Sequence, residues 1–132
     1  MPYREFPTRE FTNELIGGQA NGAVVEFTFG SYDGSGEIAT ATSGFAGIIV
    51  STAADNALTS LKTGGIFRLW VDAQSTNIAA MDPIKPTTDG HGVKAASDGD
   101  QFSAIALEAS TTDDDCILVF ISHGYVDADG GN

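Results

Sequence analysis

Residues 101–122 read QFSAIALEASTTDDDCILVFIS, two apolar runs separated by a short acidic turn. The second run, residues 116–121, is uninterrupted and rich in β-branched and aromatic residues, which predicts a strand buried on both faces. The first run, residues 103–109, alternates more loosely, with Ile105 and Leu107 on one face. The turn formers and carboxylates between the runs cannot enter a core, so the stretch predicts a β-hairpin. A sheet built around this hairpin needs partner strands on both sides.

Three other segments have the composition of β-strands. They are residues 23–29 (AVVEFTF), 45–50 (FAGIIV) and 66–72 (IFRLWVD), and the first and last alternate with period two. Residues 51–65 fit two alternatives equally well, either a short helix or a loop followed by a strand. Sixteen glycines in punctuating positions also favour β structure. The fold class predicted is all-β, a compact β-sandwich or β-tulip domain with at most one or two short helices.

The two ends of the chain differ in composition from its middle. Residues 1–16 interleave aromatic and charged residues, and two prolines disfavour a helix there, which predicts an extended N-terminal arm. Its aromatic side chains either fold back onto the domain or anchor the arm to another chain by strand addition. The β domain is predicted over residues 17–124. Residues 125–132 are polar and glycine-rich and predict a flexible C-terminal tail.

The charge balance restricts the possible partners. Eighteen acidic against six basic residues give a net charge of −12, which repels phosphate, so nucleic acid is excluded as an expected partner. No apolar segment approaches the ~20 residues that span a bilayer, so no membrane partner is expected. The lone Cys116 lies in the most apolar run and is predicted to be a small buried hydrophobe.

No catalytic constellation is evident in the sequence. His91, His123 and Cys116 lack the spacing of a zinc site, and the histidines are expected in solvent-facing positions. The carboxylates of residues 113–115 are adjacent, so they are expected to point apart and to mark a charged hairpin tip. Neither a nucleophile elbow nor a phosphate-binding loop is present. We therefore expect no catalytic residue, no metal and no cofactor, and no enzymatic activity.

Four short motifs, in their order and spacing, resemble a known family. They are GGIFRLWV (residues 64–71), MDPI (81–84), IALEAS (105–110) and ILVFI (117–121). Together they are similar to the small capsid decoration proteins of tailed phages, which are related to the lambda-like head-stabilising proteins. The resemblance extends over residues 45–121. It implies a β-sandwich or β-tulip domain that sits as a homotrimer on the outer surface of the expanded capsid and stabilises contacts between major capsid subunits.

One strand within the resemblance and the arm, whose role rests on its own aromatic and charged residues because the resemblance does not cover it, have expected roles. In the strand of residues 66–72, Trp70 lies between Arg68 and Asp72 on a mixed face, and an exposed tryptophan is favoured at interfaces. Arg68 and Trp70 are therefore expected at or near a subunit contact, although packing in the core or at its rim is the more frequent fate of a single tryptophan and stays open for Trp70. The residues expected to bind the capsid through the arm are Tyr3, Arg4, Phe6, Arg9 and Phe11.

Two other functions remain open at this point. One is a carbohydrate- or receptor-binding β module of a phage tail or fibre, using Trp70, Tyr32 and loop carboxylates. The other is a small enzyme of unrecognised type, which requires a pocket that gathers His91 or His123 with carboxylates from distant loops.

Overall fold

The first half of the chain forms a five-stranded sheet. In the computed structural model, which describes residues 15–127, all its pairings are antiparallel and the strand order is β1-β5-β4-β2-β3. An isolated bridge between Ala20 and Ile38 brings the end of β1 back towards β3. The strands are β1 (Leu15–Gln19), β2 (Phe29–Tyr32), β3 (Ile38–Thr40), β4 (Gly47–Ile49) and β5 (Leu58–Lys62).

The second half of the chain forms a closed barrel with the strand order β10-β6-β8-β7-β9. Its pairs are antiparallel except for β6 and β8, which are parallel and joined by the single pair Val71↔Gly92. Closure gives every barrel strand two neighbours, although β6 meets β8 only at its last residue. The strands are β6 (Gly65–Val71), β7 (Pro83–Pro86), β8 (Gly92–Lys94), β9 (Gln101–Ala106) and β10 (Asp115–Tyr125).

The predicted hairpin is confirmed as β9 and β10, which pair antiparallel with Phe120 opposite Ile105. The burial prediction for β10 is wrong, because only alternate residues, Ile117, Val119 and Ile121, are buried. The barrel gives each strand an inside and an outside, so period-two alternation replaces the two buried faces of a sheet packed on both sides. Cys116 therefore points outward and is half-buried, which corrects its prediction as a core residue.

Two hydrophobic cores share β4. Ile48 packs into the barrel core with Leu69, Ile84 and Phe29. The next residue, Ile49, faces the opposite way and packs into a smaller second core. Successive side chains on a strand point to opposite faces, so β4 is the wall between the two cores. The second core contains Ala20, Val24, Ile38, Ile49, Ala53 and Leu61.

The strand predicted over residues 23–29 is wrong. Val24 makes only an isolated bridge with Ala53, and the backbone of Phe27 has a φ of 66°. A bulky residue in this left-handed region marks a turn, so the regular strand starts only at Phe29. Residues 51–65 resolve as a loop followed by β5, and no helix occurs among residues 15–127.

The all-β prediction is confirmed for the described part of the chain. No helix within it is long and apolar enough to cross a membrane.

Candidate interaction surface

The residues predicted at a subunit contact lie on the outward face of the barrel. Arg68 and Trp70 alternate with the buried Leu69 and Val71, so both point away from the core. Across the sheet, Arg68 is opposite Leu118, and Trp70 is opposite Cys116. We call the outward side of β6, β10 and β9 the outer face.

An apolar strip crosses this outer face. Phe120 of β10 lies between Ile66 of β6 and Ile105 of β9, to which it is directly paired in register. Leu107 donates its backbone N–H to the carbonyl of Leu118, which places these two leucines in the adjacent row. Ile66 is 58% exposed and Phe120 is 45% exposed. The apolar strip is thus Ile66, Ile105, Leu107, Leu118 and Phe120.

The strip itself carries no charge, and opposite charges flank it. Arg68 is exposed on the β6 side of Leu118. On the β9 side, Glu108 Oε1 accepts the backbone N–H of Leu118 at 2.9 Å. Contiguous exposed apolar surface bordered by polar groups is typical of protein interaction sites. The outer face can therefore make an apolar contact with ion pairs at its two sides.

Trp70 is held in place by its neighbours. Its indole stacks on the imidazole of His91, with ring centroids 6.4 Å apart and an interplanar angle of 24°. Its backbone N–H donates to the carbonyl of Phe27 at 2.8 Å. The half-buried ring therefore lies at the border of the outer face, where Arg68 is the more accessible of the two predicted contact residues.

A polar cluster lies beside Trp70. His91 Nδ1 is 3.0 Å from Asp72 Oδ1, which also accepts the backbone N–H of Asp114 at 3.0 Å. Burial acts to raise the pKa of Asp72, but the hydrogen bonds from His91 and Asp114 outweigh it and hold that pKa below its ordinary value. The side chains of Asp72, His91 and Asp114 could together hold a metal ion, having ligand atoms within 4.8 Å of one another. In this arrangement the Asp72 carboxylate, at the end of β6, contacts both His91 and the hairpin tip.

The expectation of a solvent-facing His91 is corrected by this cluster, since its side chain is only 17% exposed. No spacing in the sequence indicated the contact, because barrel closure brings together residues that are 19 and 23 positions apart. His123 is elsewhere, with Nε2 2.7 Å from the carbonyl oxygen of Ala46. The two histidines therefore have separate partners. That the chain is a small enzyme stays a hypothesis.

The three aspartates of the hairpin tip make different contacts, as predicted. Asp113 accepts the backbone N–H of Gln74, whereas Asp115 accepts the hydroxyl of Ser110 at 2.7 Å. Asp114 turns towards His91, with Oδ1 3.7 Å from Nδ1. The tip is thus tied to the barrel by hydrogen bonds, while Asp113 and Asp114 remain exposed to solvent.

A polar cleft of about 400 Å³ lies between the two halves of the domain. In it, Lys85 Nζ donates to Asp100 Oδ2 at 3.0 Å, and this bond is the main reason that the pKa of Asp100 is lowered. Neither Trp70 nor Tyr32, the residues named for glycan binding, lines it. The lining residues are Thr42, Ser43, Gly44, Lys85, Pro86, Gly99, Asp100, Gln101 and Tyr125.

The predicted capsid-binding residues Tyr3, Arg4, Phe6, Arg9 and Phe11 lie outside the described residues. The strand that follows them, β1, pairs with β5 along its whole length. On its other side the hydroxyl of Tyr32 donates to the carbonyl of Gly17 at 2.6 Å. Part of the β1 edge is therefore engaged within the domain.

The fold has a counterpart among solved structures. No protein-family model matches the chain, and no curated protein matches it. A matching structure is the head fiber gp8.5 N base of bacteriophage phi29, with a TM-score of 0.65 and 15% sequence identity. The match covers 86% of this chain and 97% of that chain. At this identity the similarity shows a common fold, over almost the whole length of that N-base chain.

Proposed function

We propose that this chain is a structural protein of a tailed-phage virion. In this proposal it binds the outer surface of the expanded capsid as a homotrimer and stabilises contacts between major capsid subunits. The observation that carries the proposal is the shared fold with a phage head fiber base over 86% of the chain. The motif resemblance to capsid decoration proteins, made from different evidence, points to the same kind of particle.

The surface of the domain is suited to this role. A chain that acts as a homotrimer needs contact area for its own assembly, and the apolar strip supplies an exposed area, most of it on strands of the closed barrel. A trimer that engages several shell subunits at once multiplies weak contacts through effective concentration. The net charge of −12 suits the outside of the capsid, because an acidic protein is repelled by the packaged nucleic acid.

The first test is the copy number in purified virions of the phage that encodes this chain. Stained-gel quantification against the major capsid protein should give a ratio near one to one, because decoration spreads copies over the whole shell. A few copies per virion would instead locate the chain at a tail or vertex and favour receptor binding. Its complete absence from virions would contradict the proposal.

The second test concerns the N-terminal residues. Deleting residues 2–13 should abolish attachment to purified expanded capsids, measured by co-sedimentation, because it removes the predicted aromatic anchors. The deletion ends before β1, which starts at Leu15, so the melting midpoint should not change. A length-matched variant with Tyr3→Ser, Phe6→Ser and Phe11→Ser should lose attachment equally.

The control variant for this test carries Thr8→Ser and Thr12→Ser, which leaves every aromatic and charged residue of the segment in place. It should attach like the unaltered chain. Full decoration by the deletion variant would show that the capsid contact lies within the β domain.

A further inference from the structure

We infer that the apolar strip is the contact between copies of this chain, with the Arg68 side of one copy against the Glu108 side of the next. This inference rests on the trimer in the proposed function and identifies the surface that would form it. The argument uses the exposure of the strip, the charge around it and the rigidity of the strands that carry it.

Several exposed apolar side chains lie next to one another on this face. Ile66 and Phe120 are adjacent across the β6–β10 pair, and about half of each side chain is open to solvent. Leu107, exposed by 36%, and the half-buried Leu118 extend the strip in the next row. Covering such side chains gains about 25 cal/mol for each Å² of apolar surface removed from water.

Charge favours a second copy as the partner. Two chains that each carry −12 repel one another where carboxylates meet, so a contact between copies favours a surface whose acidic groups face basic ones. The strip has no acidic side chain, and Glu108 beside it is opposed across the strip by Arg68. A basic side and an acidic side on one surface are complementary to the same surface in another copy.

The placement of these charges suits a closed ring. If the β6 side of each copy meets the β9 side of the next, every Arg68 lies against a Glu108 and no like charges are brought together. Such a head-to-tail contact closes into a ring when the rotation between copies allows it, and three copies give the proposed trimer. The strands β6, β9 and β10 that form the outer face belong to the closed barrel. The surface is therefore formed before association and needs little ordering.

The test is the molar mass of the full chain in solution, measured by sedimentation equilibrium from low to high micromolar concentration. The unaltered chain should be a trimer. Phe120→Asp should weaken self-association at least 100-fold, because it puts a carboxylate in the middle of the apolar contact. The matched control is Leu58→Asp on β5, a position that is 77% exposed in the other sheet, and it should stay trimeric.

A charge exchange tests the ring arrangement. Arg68→Glu alone and Glu108→Lys alone should each weaken self-association about tenfold, and the double variant should recover most of the loss. Because Glu108 also accepts the Leu118 N–H, Glu108→Gln serves as a second variant that keeps this acceptor and removes only the charge. Thermal melting monitored by circular dichroism checks that each variant remains folded.

The outcomes separate this inference from the proposed function. A Phe120→Asp variant that stays trimeric but no longer binds capsids would show that the strip contacts the shell protein, which overturns the inference. A monomeric unaltered chain that still decorates capsids would also overturn it and leave the proposed function intact. A dimeric chain would contradict the ring. Trimers that dissociate as expected, in a chain that never binds capsids, would support the inference while the proposed function fails.

Discussion

The barrel and the five-stranded sheet use the same residue types in different ways. The barrel strand β6 separates one buried side from one outward side, with Leu69 and Val71 buried and Arg68 exposed. In the five-stranded sheet, β4 is buried on both sides, with Ile48 and Ile49 in different cores. Alternation can therefore be recognised in β6 and is lost in β4. The comparison teaches that periodicity reports whether a strand has a solvent side, and not only whether it is a strand.

Adjacent residues on β4 offer the sharpest test of this comparison. Ile48→Ala should lower the free energy of unfolding by about 4 kcal/mol, because the large barrel core cannot collapse around the cavity. Ile49→Ala should lose less, about 2–3 kcal/mol, because the second core is small and bordered by loops that can close in. Both side chains are fully buried, so each serves as the control of the other in urea unfolding. Equal losses would contradict the distinction between two cores.

A glycine in the barrel should have the next largest effect. A Cβ added at Gly92 would collide with the side chain of Ile84 and approach Leu69 Cδ2 to 2.9 Å. Gly92→Ala should therefore destabilise the protein by about 1–3 kcal/mol through overpacking. Gly17→Ala on β1 is the control, since its Cβ would meet only the carbonyl oxygen of Thr59 at 3.8 Å. Thermal melting of both variants measures the difference, and a harmless Gly92→Ala would show that the barrel core has spare room.

The smallest effect expected is that of Asp72. Its folded-state pKa is lowered, so the ionised carboxylate stabilises the fold above its ordinary pKa of 3.8, and this stabilisation is lost as the pH falls through the lowered value. Asp72→Asn should therefore cost about 1 kcal/mol or less at pH 6, and the difference from the unaltered chain should shrink at a pH well below 3.8.

Unfolding in urea at both pH values measures this dependence, with the exposed Asp98→Asn as the control. A loss of stability that is the same at both pH values would show that the shape of the side chain matters and its charge does not.

The same comparison explains what the sequence could predict of the fold. The hairpin of β9 and β10 and the strand β6 were predictable because apolar runs and turns alternate cleanly there. The segment before Phe29 was misassigned as a strand because its apolar residues serve a turn in which Phe27 adopts a positive φ. No local pattern distinguishes such residues from those of a strand, since the second core that Val24 enters is assembled from distant loops.

The candidate site was predictable to a similar degree. Alternation in β6 placed Arg68 and Trp70 on one face, which the structure confirms, although their role at a contact between subunits remains a prediction. The rest of the outer face depends on strand register, which puts Phe120 beside Ile66 and brings Glu108 to Leu118. Register is set by tertiary pairing, and no local pattern predicts that Phe120 lies opposite Ile66, which is more than 50 positions away in the sequence.

The single pair Val71↔Gly92 affects where the barrel opens transiently. Most other neighbouring strands of the barrel are joined by several pairs, whereas β6 and β8 hold together through this pair, the adjacent Asp72–Gly92 backbone hydrogen bond and the His91–Asp72 contact. Separating β6 from β8 breaks the fewest strand pairs of the barrel, and the backbone hydrogen bonds between Phe27 and Trp70 and between Phe29 and Gly90 must open with them. We expect water to enter the barrel along this seam when residues 27–29 move. The seam ends beside Trp70, at the border of the outer face, and transient opening there would loosen that border before any other strand of the barrel moved.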